Sequence, residues 1–137
     1  MTRRQARENA FIAAFESTFH PGDIADIIAY SQETDYAVDT FGQALLFRYE
    51  EHSYEVDALI ESKLKDWTLA RLPRVNATVL RLAVTEMVYG DTEEDMDSIV
   101  INEAVEIAKK YADEADYQFI NGVLGSVSRD KTPDTEA

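Results

Sequence analysis

Behind Pro73, the apolar residues Val75, Val79, Leu82, Ala83 and Met87 return every three or four positions until Gly90 interrupts them. That spacing lays them on one face of an α-helix, with proline suited to the first turn and glycine to the stop. The same period runs through most of the chain. From Thr2, an N-cap residue, it passes through Ala6, Ala10, Phe11, Ala14, Phe15 and Phe19 to the break at His20-Pro21-Gly22. A second helix is expected from Asp23 with Ile24, Ile27 and Ile28 inward. A third runs from about Asp35 through Val38, Phe41, Leu45 and Phe47 or Tyr49, and a fourth, capped by Ser53, buries Val56, Leu59, Ile60 and Leu64. The helix behind Pro73 is the fifth. Ile101, Ala104, Val105, Ala108 and Ala112 mark a sixth, and Phe119, Ile120, Val123, Leu124 and Val127 a seventh.

With 5 Gly, 3 Pro and no sustained polar–apolar alternation, a turn-rich sandwich or barrel is disfavoured. The expectation is an all-α, compact globular fold of about seven helices. At 137 residues there is room for one core, placed here in a single domain over 1–128 followed by a flexible polar tail, 129–137. No apolar run approaches the length of a membrane span, and the arginine-bearing start lacks a signal-peptide core. With no Cys, nothing requires an oxidising compartment. A cytoplasmic location is expected.

Charge is unevenly distributed. The chain carries 27 acidic and 13 basic residues, net −14, so on average it repels a polyanion. Yet residues 1–8 hold Arg3, Arg4 and Arg7 against Glu8, and residues 62–81 hold Lys63, Lys65, Arg71, Arg74 and Arg81 against Asp66. Acidic residues crowd 20–60 and the loop Asp91, Glu93, Glu94, Asp95, Asp97.

The residues point away from catalysis. His20 and His52 stand apart from any nucleophile pattern and read as surface or capping residues. If Asp91 opened a calcium loop, Met96 would occupy the glycine position and Asn102 the place of the bidentate glutamate, so the motif fails. Neither a phosphate loop nor a metal signature stands out, and no cofactor is expected. A binding surface is the better reading. Arg3, Arg4 and Arg7 occupy neighbouring positions of the first helix and can meet one phosphate backbone, an arrangement otherwise unfavourable at the positive end of the helix dipole. Gly122 within a helix costs about 1 kcal/mol relative to alanine, so it marks close approach either of another helix or of a ligand. Asn121 and Gln118 are amides able to read a base or to cap a neighbouring helix. Phe119 is either core or a platform for an unpaired base. Arg81, on an apolar face, calls for an ion-pair partner, Glu8 or Glu103. Lys110, beside Lys109, reads as solvated.

Four blocks then carry a family resemblance: Arg3-Arg4-Gln5-Ala6-Arg7-Glu8, Arg81-Leu82-Ala83-Val84-Thr85-Glu86-Met87, Ile101-Asn102-Glu103-Ala104-Val105-Glu106-Ile107-Ala108-Lys109 and Phe119-Ile120-Asn121-Gly122-Val123-Leu124. Their order and spacing resemble the NusB family of bacterial transcription antitermination factors, over about residues 3–127. RNA cytosine methyltransferases with a NusB-like domain read more like Asn-Ala-Val-Leu-Arg in the last block, where this chain has Asn121-Gly122-Val123-Leu124-Gly125. The resemblance implies two small helical bundles and a function without catalysis. That function is to bind boxA RNA together with the small-subunit ribosomal protein NusE, acting indirectly on the RNA polymerase elongation complex in ribosomal RNA synthesis. It places RNA contacts at Arg3, Arg4, Arg7, Phe15, Lys109, Gln118, Phe119 and Asn121, and a NusE contact on the helix of Glu86. At Phe15 relatives often carry a tyrosine, so a hydroxyl contact is lost. Where several relatives carry Pro and Lys before the third block, this chain has Met96, Asp97 and Ser98, which lowers phosphate attraction. Affinity for boxA alone is therefore expected to be weak and salt-sensitive, roughly one log unit per log unit of salt for each phosphate neutralised. The alternative is a protein-interaction module, or a homodimer that covers its own RNA surface, with weak or no RNA binding.

Overall fold

The computed structural model describes residues 1–20, 22–65, 67–90 and 96–131. These form six α-helices and one 3-10 turn: α1 (Arg3–Ser17), α2 (Ile24–Ser31), α3 (Thr40–Glu61), the turn Leu69–Arg71, α4 (Arg74–Tyr89), α5 (Asp97–Tyr111) and α6 (Glu114–Lys131). Local chemistry sets the helix starts. Thr2 and Gln5 close a capping box on α1, each side chain accepting from the other's backbone N–H. Asp23 and Asp39 cap α2 and α3 through their carboxylates.

The helix count falls one short of seven because the expected third and fourth helices follow each other across a kink and are counted as one. The chain breaks helical geometry at His52 (φ −112°, ψ 21°), next to the expected start at Ser53, so α3 is two helical segments joined at a kink. The His52 ring stacks on Tyr89 at the end of α4, centroids 3.8 Å apart and planes 2° from parallel, so it is a packing residue and not a cap. The third helix also starts later than expected, because Asp39 and not Asp35 caps it. At the other end of the chain α6 runs to Lys131, past the expected boundary near 128. Lys131 Nζ donates to Asp97 Oδ1 (2.7 Å) and to the Met87 carbonyl (2.6 Å), and Ser128 donates to the same carboxylate. Asp97, which in sequence belongs to the acidic loop, thus ties the start of α5 to the end of α6. The remainder of that loop, 91–95, lies outside the described residues, as do 132–137.

α4 is the hub. It is buried from Asn76 to Leu80 and from Leu82 to Met87, nearly all round its circumference, as a central helix must be. It packs against α1 and α3 on one side and α5 and α6 on the other. Helices α1–α3 and α4–α6 thereby make two small bundles sharing one apolar core, within which Ile60, Leu80, Ile120 and Leu124 are fully enclosed. Close approach of α1 and α3 needs Gly42, where a Cβ would come 2.8 Å from Val38 Cγ1 and 3.4 Å from Ala10 Cβ. Arg81 finds its partner in Asp57, not in Glu8 or Glu103: Nε and Nη2 lie 3.1 and 3.3 Å from its carboxylate oxygens, tying α4 to α3. Phe19, expected on the buried stripe, is 52% exposed, since α1 ends at Ser17 before the stripe reaches it. Among the described residues no helix is long and apolar enough to cross a membrane.

Candidate nucleic-acid interface

The three opening arginines of α1 occupy three different environments. Arg7 lies four residues before Phe11 and three before Ala10, on the inner stripe, and is only 11% exposed. Its guanidinium forks onto the Glu86 carboxylate of α4 (Nε–Oε1 2.9 Å, Nη2–Oε2 2.5 Å), which is 4% exposed. Arg4 turns the other way, toward α5, and forks onto Glu103 at 2.8 and 2.9 Å while most of its side chain stays in solvent. Arg3 lays its guanidinium 4.1 Å from the centre of the Phe41 ring. The grouping expected from their spacing is therefore divided, because positions three and four apart share a face only until a neighbouring helix covers part of it.

Glu103 and Glu8 complete the seam between α1 and α5. The Arg4 hydrogen bond, reinforced by its charge, holds the Glu103 carboxyl below its ordinary range. Burial pushes Glu8 up, but hydrogen bonds from Lys110 Nζ (2.6 Å) and the Tyr111 hydroxyl (2.5 Å) outweigh it and leave the group lowered. Lys110 is consequently an ion-pair residue of this seam and not a merely solvated one, its ammonium held protonated to higher pH by Glu8.

On the far side of α5, Gln118, Phe119, Asn121 and Gly122 form an exposed strip of α6. Phe119 is therefore not core. Gln118 and Asn121 line a groove of about 470 Å³ with Ser98, Asn102, Lys109 and Tyr117. Lys109 sits 5.3 Å from the Tyr117 ring centre and also walls the adjoining groove lined by Arg4, Glu8, Glu103, Glu106 and Lys110. α1 and α6 do not share a major packing face; α5 packs on α6 and reaches α1 through the Arg4–Glu103 and Lys110–Glu8 pairs. Nothing within 4 Å would meet a Cβ at Gly122, which removes helix packing as the reason for this glycine.

Two of the expected residues stand elsewhere. Phe15 is partly buried in a row of rings, 6.0 Å from Phe11 and 5.2 Å from Phe19, and Phe11 in turn meets Tyr111 at 5.2 Å. Glu86 lies inside under Arg7, so it cannot offer its carboxylate directly to a partner. The clue to that burial was present in the chain: Arg7 and Glu86 each fall on the apolar stripe of their helix, one of each sign. Asp97, Lys110 and Asp57 carried no comparable signal, since each stands among other charged or polar residues and nothing local marks its partner.

The NusB family model matches residues 4–129. The transcription antitermination protein NusB of Bacillus velezensis is 36% identical over 133 residues, covering 95% of this chain and 98% of that protein. Its counterpart in Bacillus mycoides is 38% identical over 129 residues, covering 93% and 97%. Among solved structures, T. maritima NusB superimposes with a TM-score of 0.82 at 30% identity, covering 98% of this chain and 95% of that one. A chain from the complex of the antitermination factors NusB and NusE with double-stranded RNA gives 0.78 at 26% identity, covering 93% and 96%. A match running through all six helices, with more than a third of positions identical to these Bacillus relatives, shows that the chain belongs to the NusB family.

Proposed function

We propose that this protein is an RNA-binding transcription antitermination factor, which binds boxA RNA together with NusE and acts through it on the transcribing polymerase in the cytoplasm. The observation that carries the reading is the α6 strip. A glycine with no internal neighbour, flanked by exposed amides at Gln118 and Asn121 and bordered by Lys109, leaves bare backbone where something outside the fold approaches closely. Amides supply base selection and the cations supply positioning. The role calls for no catalytic group. The complex of a relative with NusE and double-stranded RNA supports both partners.

Within this reading the cations divide their work. Arg3, Arg4 and Lys109 stay accessible to phosphates, whereas Arg7 with Glu86 fixes α1 against α4 so that the others project correctly. With about two to three phosphates neutralised, the affinity for single-stranded RNA falls with a log–log salt slope of roughly −1.5 to −2. Glu86 contributes to partner binding through that scaffold.

The test is binding of a labelled boxA oligonucleotide, single-stranded and as a duplex, with and without NusE. The double variant Arg3→Ala/Arg4→Ala should weaken RNA binding about tenfold and flatten the salt slope. Retention of NusE with no RNA shift in either form would replace this reading with the protein-interaction module or the self-covering homodimer, to which the carboxylates facing Arg4 and Lys110 lend some charge balance.

A further inference from the structure

The second basic segment of the chain, 62–81, is not used by the surface described above. Lys63 pairs with Asp130 and Arg81 with Asp57, but Arg71 and Arg74 do not pair with a carboxylate among the described residues. In a chain with twice as many acids as bases, that is a notable placement. Each of the two instead lies over an exposed ring. The Arg71 guanidinium is 5.3 Å from the centre of Trp67, which is 51% exposed. The Arg74 guanidinium is 4.3 Å from the centre of Phe19, and its Nη1 donates to the Thr18 carbonyl at 3.0 Å. The 3-10 turn that carries Arg71 is anchored by the buried Leu69, whose N–H donates to the Glu61 carboxylate, and Phe19 ends the row of rings that begins at Phe11.

We infer that Phe19, Trp67, Arg71 and Arg74 form a second contact for single-stranded RNA, at the opposite end of α1 from Arg3 and Arg4. α1 is 15 residues long, so the two sites stand about 22 Å apart by helical rise. Planar cations lying over half-exposed aromatic rings fit a ligand that alternates phosphates with aromatic faces. An acidic peptide would use the guanidinium groups but has no use for the rings. The site is sequence-tolerant, since every base offers a face, and it takes nucleotides flanking the segment read at α6. The inference rests on RNA being this protein's ligand and is separable from the assignment of the first site.

Trp67 is the single tryptophan of the chain and reports on this patch alone. Titrating the intact protein with polyuridylate at low salt should quench its emission saturably and salt-sensitively, and RNA-wide competition should follow. Arg71→Ala/Arg74→Ala should weaken that quenching about tenfold, and Arg74→Lys, which keeps the charge and loses the planar stack, should fall between. Arg3→Ala/Arg4→Ala should leave it unchanged even where boxA binding is lost. Polyuridylate binding, followed by anisotropy of labelled RNA, without any change in Trp67 emission overturns the inference. So does quenching indifferent to the Arg71 and Arg74 substitutions, or a response to polyglutamate with none to polyuridylate.

Discussion

Glu86→Leu removes the forked partner of the Arg7 guanidinium in a site where 11% of its side chain reaches solvent, leaving the more distant Glu103 charge and the Phe41 ring, 5.6 Å away. Removing one member of a buried, two-pronged ion pair costs about 3–5 kcal/mol, most of it the uncompensated charge left behind. Arg7 borders an open cleft with Arg3, Asp39 and Arg48, so part of its charge can rehydrate, and the lower end, about 3 kcal/mol, is expected. Against a total of about 5–15 kcal/mol for a domain of this kind, that is a large fraction. With a urea dependence of about 1–3 kcal/mol per molar, the midpoint should fall by about 1–3 M. The double variant Arg7→Met/Glu86→Leu replaces both charges with apolar groups of similar size and should recover most of the loss, because such exchanges are often neutral or stabilising. Equilibrium urea unfolding followed by far-UV circular dichroism measures all three proteins. A single-variant shift below about 0.5 M, or a double variant no better than the single, would refute the view that this pair is desolvated. It would also return Arg7 to the set of phosphate contacts, so the same experiment decides whether an Arg7 variant reports on RNA or on the fold.

Gly122→Ala should raise stability by about 0.5–1 kcal/mol, as an open helical position gains from alanine, while weakening RNA binding; equal or tighter binding in a filter assay would deny the close approach. Glu103 has its folded value lowered beneath 4.5 by Arg4, so its contribution is complete above that pH and disappears as the pH falls through the lowered value. Glu103→Gln should therefore flatten the urea midpoint against pH below 4.5, and an unaltered acid limb would contradict the pairing. Asp97→Ala leaves Lys131 with the Met87 carbonyl and Ser128 without its acceptor, which should cost about 1–3 kcal/mol and increase hydrogen exchange at the end of α6; unchanged protection there would mean that the helix end is held by packing alone.

The all-helical class, most helix starts and the family were legible because they rest on local information: an apolar period of three to four residues, Thr2 and Asp23 in capping positions, and blocks of fixed spacing. The departure of Gln118, Asn121 and Gly122 from an otherwise regular apolar stripe was legible as well, but only the packed helices decided that Gly122 meets no neighbour and that Phe119 is exposed. The assembly decided the rest. At the kink of α3 the His52 ring lies on the face of Tyr89, 37 residues later, a contact that no period records. Likewise an arginine's spacing on one helix cannot say which neighbouring carboxylate will desolvate it. α1 sits with α3 and α4 on one flank and α5 beside its start, so Arg7 goes inside to Glu86, Arg4 goes to Glu103 and Arg3 goes onto Phe41. Charge along a chain is fixed by sequence; the field it makes depends on distances and burial, which arise only when the helices pack.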